Sequence, residues 1–229
     1  MKKVFAGIAL LFIYTHSNAQ LVYVQGGLNL ANISTTSSGH TEDNNMLPTF
    51  NAGIISRFGL SKTVDLESGV LLTGQGSKAE SYFNGGANYV KTRFNPIYVQ
   101  VPLNLVIIAP LDKRNGLFFN AGPYIAIGVG GKSKTDSKFG AVTSSSSSSI
   151  KFSNDDPFTS EQDDAAYDKL KRFDFGLNFG GGFQLDHLIL KVNYGLGLAK
   201  INSTQSNNTA DDKNKYRTLS VSVGIPLNR

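Results

Sequence analysis

The sequence predicts an all-β chain: an eight-stranded antiparallel up-and-down transmembrane β-barrel behind an N-terminal signal peptide. Three observations carry that reading. Apolar residues recur with a period of two in run after run, and that period means strand, because successive side chains leave a pleated backbone on opposite sides. The runs are about ten residues long or more, the length a tilted strand needs to cross a bilayer and roughly twice that of an ordinary strand. The connections alternate long and short, as in membrane barrels with short periplasmic turns and long outer loops.

Residues 172–200 carry the pattern most plainly. RFDFGLNFGGGFQL sets Phe173, Phe175, Leu177, Phe179, Phe183 and Leu185 on one face, with Arg172, Asp174, Asn178 and Gln184 on the other. A two-residue turn, Asp186-His187, follows. Then Leu188, Leu190, Val192, Tyr194, Leu196 and Leu198 share a face opposite Lys191, Asn193 and Ala199.

The other strands are read in the same way. Residues 21–33 turn Val22, Val24, Leu28 and Leu30 outward and Tyr23, Gln25 and Asn29 inward. Residues 49–60 expose Phe50, Ala52, Ile54 and Phe58 opposite Asn51, Gly53 and Arg57. Residues 64–78 expose Val64, Leu66, Val70 and Leu72 opposite Asp65, Glu67, Thr73 and Gln75. The short turn 61–63 between these two sets Arg57 directly across from Glu67, an opposite-charge pair. Residues 92–109 send Ile97, Val99, Val101, Leu103, Leu105 and Ile107 out, and Tyr98, Gln100 and Asn104 in. After the turn 110–116, residues 117–133 expose Leu117, Phe119, Ile125, Ile127 and Val129 and turn Asn120, Tyr124 and a row of Gly inward. The last strand, 215–227, alternates Leu219, Val221, Val223 and Ile225 with Thr218, Ser220, Ser222 and Gly224. Its pairing with the first strand would close the sheet and leave no open edge.

Which face meets lipid follows from the charges. Arg57, Asp65, Glu67, Asp174 and Lys191 share the face opposite the apolar one. Arg or Lys turned to hydrocarbon at midplane costs about 2–4 kcal/mol each, whereas a lumen lets opposite charges pair. These five are therefore expected as a lumen charge network. Phe50, Phe58, Phe119, Phe173, Phe175 and Phe183 lie outward near strand ends, where interfacial aromatics belong. An eight-stranded interior is only wide enough for its own side chains, so the charges read as a plug rather than a pathway.

Composition narrows the function classes. The chain has 229 residues with 24 Gly, 15 Phe, 9 Tyr and no Cys, and only 17% are charged. The missing Cys excludes a disulfide scaffold, a thiolate metal site, a Cys nucleophile and a lipoprotein anchor. Lys2, Lys3, an apolar run from Val4 to Ile13 and Ser17-Asn18-Ala19 form a secretory signal peptide, 1–19, cleaved between Ala19 and Gln20. Ten apolar residues are too few to cross hydrocarbon as a helix. Residues 20–229 are then one barrel domain, with no second domain or peptidoglycan-binding tail expected. Without Lys2 and Lys3 the balance is 20 basic to 17 acidic residues, too mild for a nucleic-acid partner.

No catalytic, cofactor or metal site is expected. His16 lies in the signal, His187 in a turn and His40 in a loop, with nothing to form a dyad. The run 128–133 hints at a phosphate loop, but it sits in a strand and the motif's first Gly would fall at Ala126. Polar loops span 34–48, 79–91, 134–170 and 201–214. The third holds six consecutive Ser (144–149) and an acidic stretch, 155–168, in which Ser160 to Asp163 could cap one short helix. That stretch lacks EF-hand spacing and reads as solvated loop.

GGLNLAN in the first strand, VQVPLNL in the fourth, GPYIAIG in the fifth, FDFGLNFGGGFQL in the sixth and the terminal YRTLSVSVGIPL resemble the PorT-like family of outer-membrane β-barrels, over nearly all of residues 20–229. The resemblance implies residence in the bacterial outer membrane after signal-peptide-dependent export. It also implies contact with outer-membrane lipid, and a tie to secretion through envelope or secretion proteins meeting the loops. The function expected is non-enzymatic, a structural or interaction role through long extracellular loops; the alternative is a narrow channel or transport component.

Overall fold

The computed structural model describes residues 20–37, 40–43, 46–112, 115–154, 169–201 and 213–227. Eight strands close a barrel: β1 (Gln20–Ser37), β3 (Leu47–Gly59), β4 (Val64–Gly74), β6 (Asn88–Pro110), β7 (Gly116–Phe139), β11 (Phe173–Gln184), β12 (Ile189–Gly197) and β13 (Lys213–Pro226). Each pairs antiparallel with the next, and β1 pairs β13 from Tyr23↔Pro226 to Thr36↔Lys213. The first and last strands thus close the sheet, as the alternation predicts. The short turns are backbone-bonded: Leu60 N–H donates to Val64 O (2.9 Å), Leu111 N–H to Asn115 O (2.9 Å) and Leu185 N–H to Leu188 O (2.7 Å). The signal segment and its cleavage point at Ala19 lie outside the described residues, and Gln20 opens β1.

The outer wall is apolar and bare. Leu28 is 70% exposed, and Ile125 and Phe119 each 63%, on faces that continue from strand to strand. A surface so extensive and so apolar is suited to hydrocarbon, where every backbone polar group must find its partner inside the sheet.

The connections differ from the sequence reading. The segment 79–91, read as a loop, mostly forms β5 (Ser77–Phe83), a short 3-10 turn at Asn84–Gly86 and the start of β6. Residues 134–149, also read as loop, continue β7 and return as β8 (Val142–Ser149), which contains the whole Ser run. A four-stranded extension, β5-β6-β7-β8, therefore rises beyond the barrel wall. Its strands meet water on both faces, so no apolar alternation marks them; ladder pairing with barrel strands holds them instead. At its base β6 and β7 slip register: Ile97 faces Gly130 while Tyr98 faces Gly128, so Val129 is the extra residue of a β-bulge. Gly131, at φ 149°, and Gly140 at the β7–β8 turn, at φ 60°, hold conformations that suit Gly best. Two short pieces, β9 (Lys151–Ser153) and β10 (Lys169–Lys171), pair in parallel. β2 (His40–Asp43) pairs the upper end of β1, inside the tract read as the first loop. The acidic stretch 155–168, with its expected cap at 160–163, lies outside the described residues.

Candidate functional site

The lumen is where the inward residues converge. Near the short-turn end, Glu67 is fully buried and accepts from four donors. The Arg57 Nε (2.8 Å) and Tyr23 hydroxyl (2.8 Å) donate to Oε2; the Lys191 Nζ (2.5 Å) and Asn104 Nδ2 (3.0 Å) donate to Oε1. Arg57 and Glu67 are register partners, as their spacing about the turn predicts. Arg57 also donates to Gln184 Oε1 at 3.1 Å, and its guanidinium lies 4.2 Å from the Phe118 ring centroid. A buried carboxylate with two cations and two neutral donors has its lone pairs met, the condition under which a buried ion pair is tolerated.

The five inward charges do not form one network. Arg57, Glu67 and Lys191 come together. Asp65 is half-buried nearer the short-turn rim, opposite Gly59 and Val106. Asp174 is buried in a separate tyrosine cluster toward the loop end, where the Tyr124 hydroxyl donates to its Oδ2 at 3.0 Å. The Tyr98 and Tyr216 hydroxyls lie 3.3 Å apart in the same cluster.

Apolar groups seal both ends. Toward the short-turn end, Val106, Phe118 and Ile189 lie below the charges and Tyr23 and Ile55 beside them, and the five pack together with 1% exposure or less. Sequence reasoning missed all but Tyr23 as inward residues. A signal was present: the runs 54–55, 106–108, 117–119 and 188–190 are continuously apolar, so alternation fails there, in three of the four beside a short turn. Above the charges, Ile150 and Leu170 fold back from β9–β10 to pack with Ile33, Tyr98, Tyr124, Tyr216 and Ile201. Phe152 fills the space that Gly128 leaves bare and meets the Tyr98 ring edge-on at 5.5 Å. The tract read as a free outer loop therefore supplies a cap over the lumen.

Between the seals runs a polar ladder. Gln25 Nε2 donates to Asn51 Oδ1 (3.1 Å), Asn51 Nδ2 to Asn29 Oδ1 (2.6 Å) and Asn29 Nδ2 to Thr73 Oγ1 (2.9 Å). A cavity of about 50 Å³ beside it is lined by Gln25, Asn51, Thr73, Asn104 and Lys191, among others. That is room for about three or four waters and for no larger solute.

The six phenylalanines project from the outer wall in two tiers. Phe58, Phe119 and Phe183 sit toward the short turns, and Phe50, Phe173 and Phe175 toward the loops. Among the described residues no group of three or more His, Asp or Glu is placed to hold a metal ion. His187 lies exposed in its turn beside Asp186 at 3.2 Å. In the extension, the Tyr82 hydroxyl bonded to Glu80 holds that carboxyl below its usual range, and Ser145 and Lys134 do the same for Asp136.

Closed barrel, bare apolar wall and filled lumen define a small integral β-barrel of the outer-membrane type. The chain belongs to the outer membrane protein beta-barrel domain family, whose model matches residues 17–203. That membership puts it in the bacterial outer membrane, in contact with its lipid. Among solved structures it is similar to Ail, the attachment invasion locus protein of Yersinia pestis, at 14% identity over 91% of this chain and 99% of that one, with a TM-score of 0.40. Neisserial surface protein A matches at 12% over 89% and 96%, TM-score 0.39. OprG from Pseudomonas aeruginosa matches at 9% over 92% and 97%, TM-score 0.40. No curated protein matches the chain.

Proposed function

We propose that this protein is a non-enzymatic outer-membrane barrel whose role is structural or interactional, exerted at its long-loop end on other envelope components. The PorT-like resemblance of its strand motifs points that role toward secretion. The observation that carries the reading is the filled lumen. Arg57, Glu67 and Lys191 satisfy one another, apolar side chains pack toward both ends, and the cavity of about 50 Å³ between them has room for only a few waters. The wall anchors, and the structure with freedom to meet a partner lies beyond it.

The test is deletion of 136–168, with β7 joined to β10 by a short Gly/Ser linker, in the native bacterium. The deleted barrel should still migrate as a folded species on unheated gels but lose its cross-linked envelope partners, with a changed profile of secreted proteins. Unaltered cross-links and an unaltered secreted profile would contradict the proposal.

A further inference from the structure

The four-stranded extension has two unlike faces. The bulge at Val129 fixes which is which: beyond it, Asn95, Arg93, Lys91 and Tyr89 of β6 continue the lipid-facing row of Ile97 and Val99. Register places Lys132 beside Asn95, Lys134 beside Arg93, Asp136 beside Lys91 and Lys138 beside Tyr89. On the other side, Lys78 joins the Arg93 row and Glu80 the Lys91 row. Six cations thus share this face with two acids. The opposite face, running through Val90, Thr92, Ser133, Thr135 and the alternate serines of β8, carries no formal charge. Both faces meet water, so solubility alone would not put every charge on one of them.

The cations are available. Lys78 approaches Glu80 at 3.6 Å and Lys134 approaches Asp136 at 3.2 Å, both partly exposed. Lys91 lies over the rings of Tyr82 (5.2 Å) and Tyr89 (4.9 Å). Arg93, Lys132 and Lys138 are exposed and without an ion pair among the described residues. Height matters as much as charge. Arg93 is four residues above Ile97, about 13 Å along the strand and about 10 Å along the normal at barrel tilt, which sets it at the outer edge of a headgroup layer about 5–8 Å deep.

We propose that this face binds the phosphate headgroups of outer-leaflet lipid, with Arg93, Lys132 and Lys134 as the innermost contacts. Continuity with the lipid-facing wall favours a membrane-borne phosphate over a soluble polyanion, which would need no such continuity. The proposal rests on the barrel's orientation and not on the loop partner: deletion of 136–168 leaves all three residues in place, so either reading can fail alone.

The experiment titrates the full chain in detergent with diphosphoryl lipid A, the same lipid stripped of both phosphates, inorganic phosphate, and dextran sulfate. Diphosphoryl lipid A should bind at least about tenfold more tightly than each of the others, and less tightly as salt rises. The combined Arg93→Gln, Lys132→Gln, Lys134→Gln variant should lose about 100-fold, while Lys62→Gln, at the opposite end, should not change binding. Equal binding of the stripped lipid, or undiminished binding by the triple variant, would overturn the proposal. So would dextran sulfate or inorganic phosphate binding these residues as tightly as the lipid. Should the triple variant fail to fold, the phosphorylated-to-stripped contrast in the unaltered protein, and its retention in Lys132→Arg, Lys134→Arg, decide the matter.

Discussion

At Glu67 one carboxylate answers two cations, and removing its charge strands both. Glu67→Gln leaves Arg57 and Lys191 buried without a counterion, which should cost about 3–5 kcal/mol in urea unfolding from detergent micelles. Asp65→Asn, at a half-buried rim position, should change stability by about 0.5 kcal/mol or less. Equal costs for the two would contradict the division of the inward charges. The Arg57–Glu67 pair is legible in the sequence because a short turn fixes register. Lys191 reaches the same carboxylate across the lumen from β12, and no local spacing announces a contact that barrel closure creates. The same holds for Asp174: its face is readable from period two, but its tyrosine surroundings come from β6, β7 and β13 together.

Among the elements, the lipid-spanning parts are legible and the watery ones are not. Hydrocarbon demands an unbroken apolar row, so each spanning strand writes its period into the chain. The extension and β8 face water on both sides and are held by ladder pairing, so a serine run in a strand looks the same as a serine run in a loop. The cap is hidden for another reason: Ile150, Phe152 and Leu170 are isolated apolar residues in a polar tract, and only the bare inner surface at Gly128 gives Phe152 its seat. Gly128→Leu should expel that ring. Amide exchange should then quicken at residues 150–153 and 170–172 while the β1–β13 seam keeps its protection. Both proteins should pass no stable current in planar bilayers, since the lower cluster stays intact. Unchanged exchange at the cap, or conductance in either protein, would contradict the sealed lumen.

For the whole molecule, one inequality fixes everything else: burying ionic groups in a lumen where they pair costs less than turning them to lipid. From it follow the closed sheet, the filled interior and a surface whose freedom lies beyond the bilayer. The absence of cysteine makes the inequality directly measurable. Spin labels placed singly on β12 by Leu190→Cys, Val192→Cys, Asn193→Cys, Tyr194→Cys and Gly195→Cys, in lipid bilayers, report collision with oxygen or with a water-soluble nickel chelate. Labels at 190, 192 and 194 should collide with oxygen in the hydrocarbon, and those at 193 and 195 should be shielded from it. A reversed alternation, or none, would contradict the account.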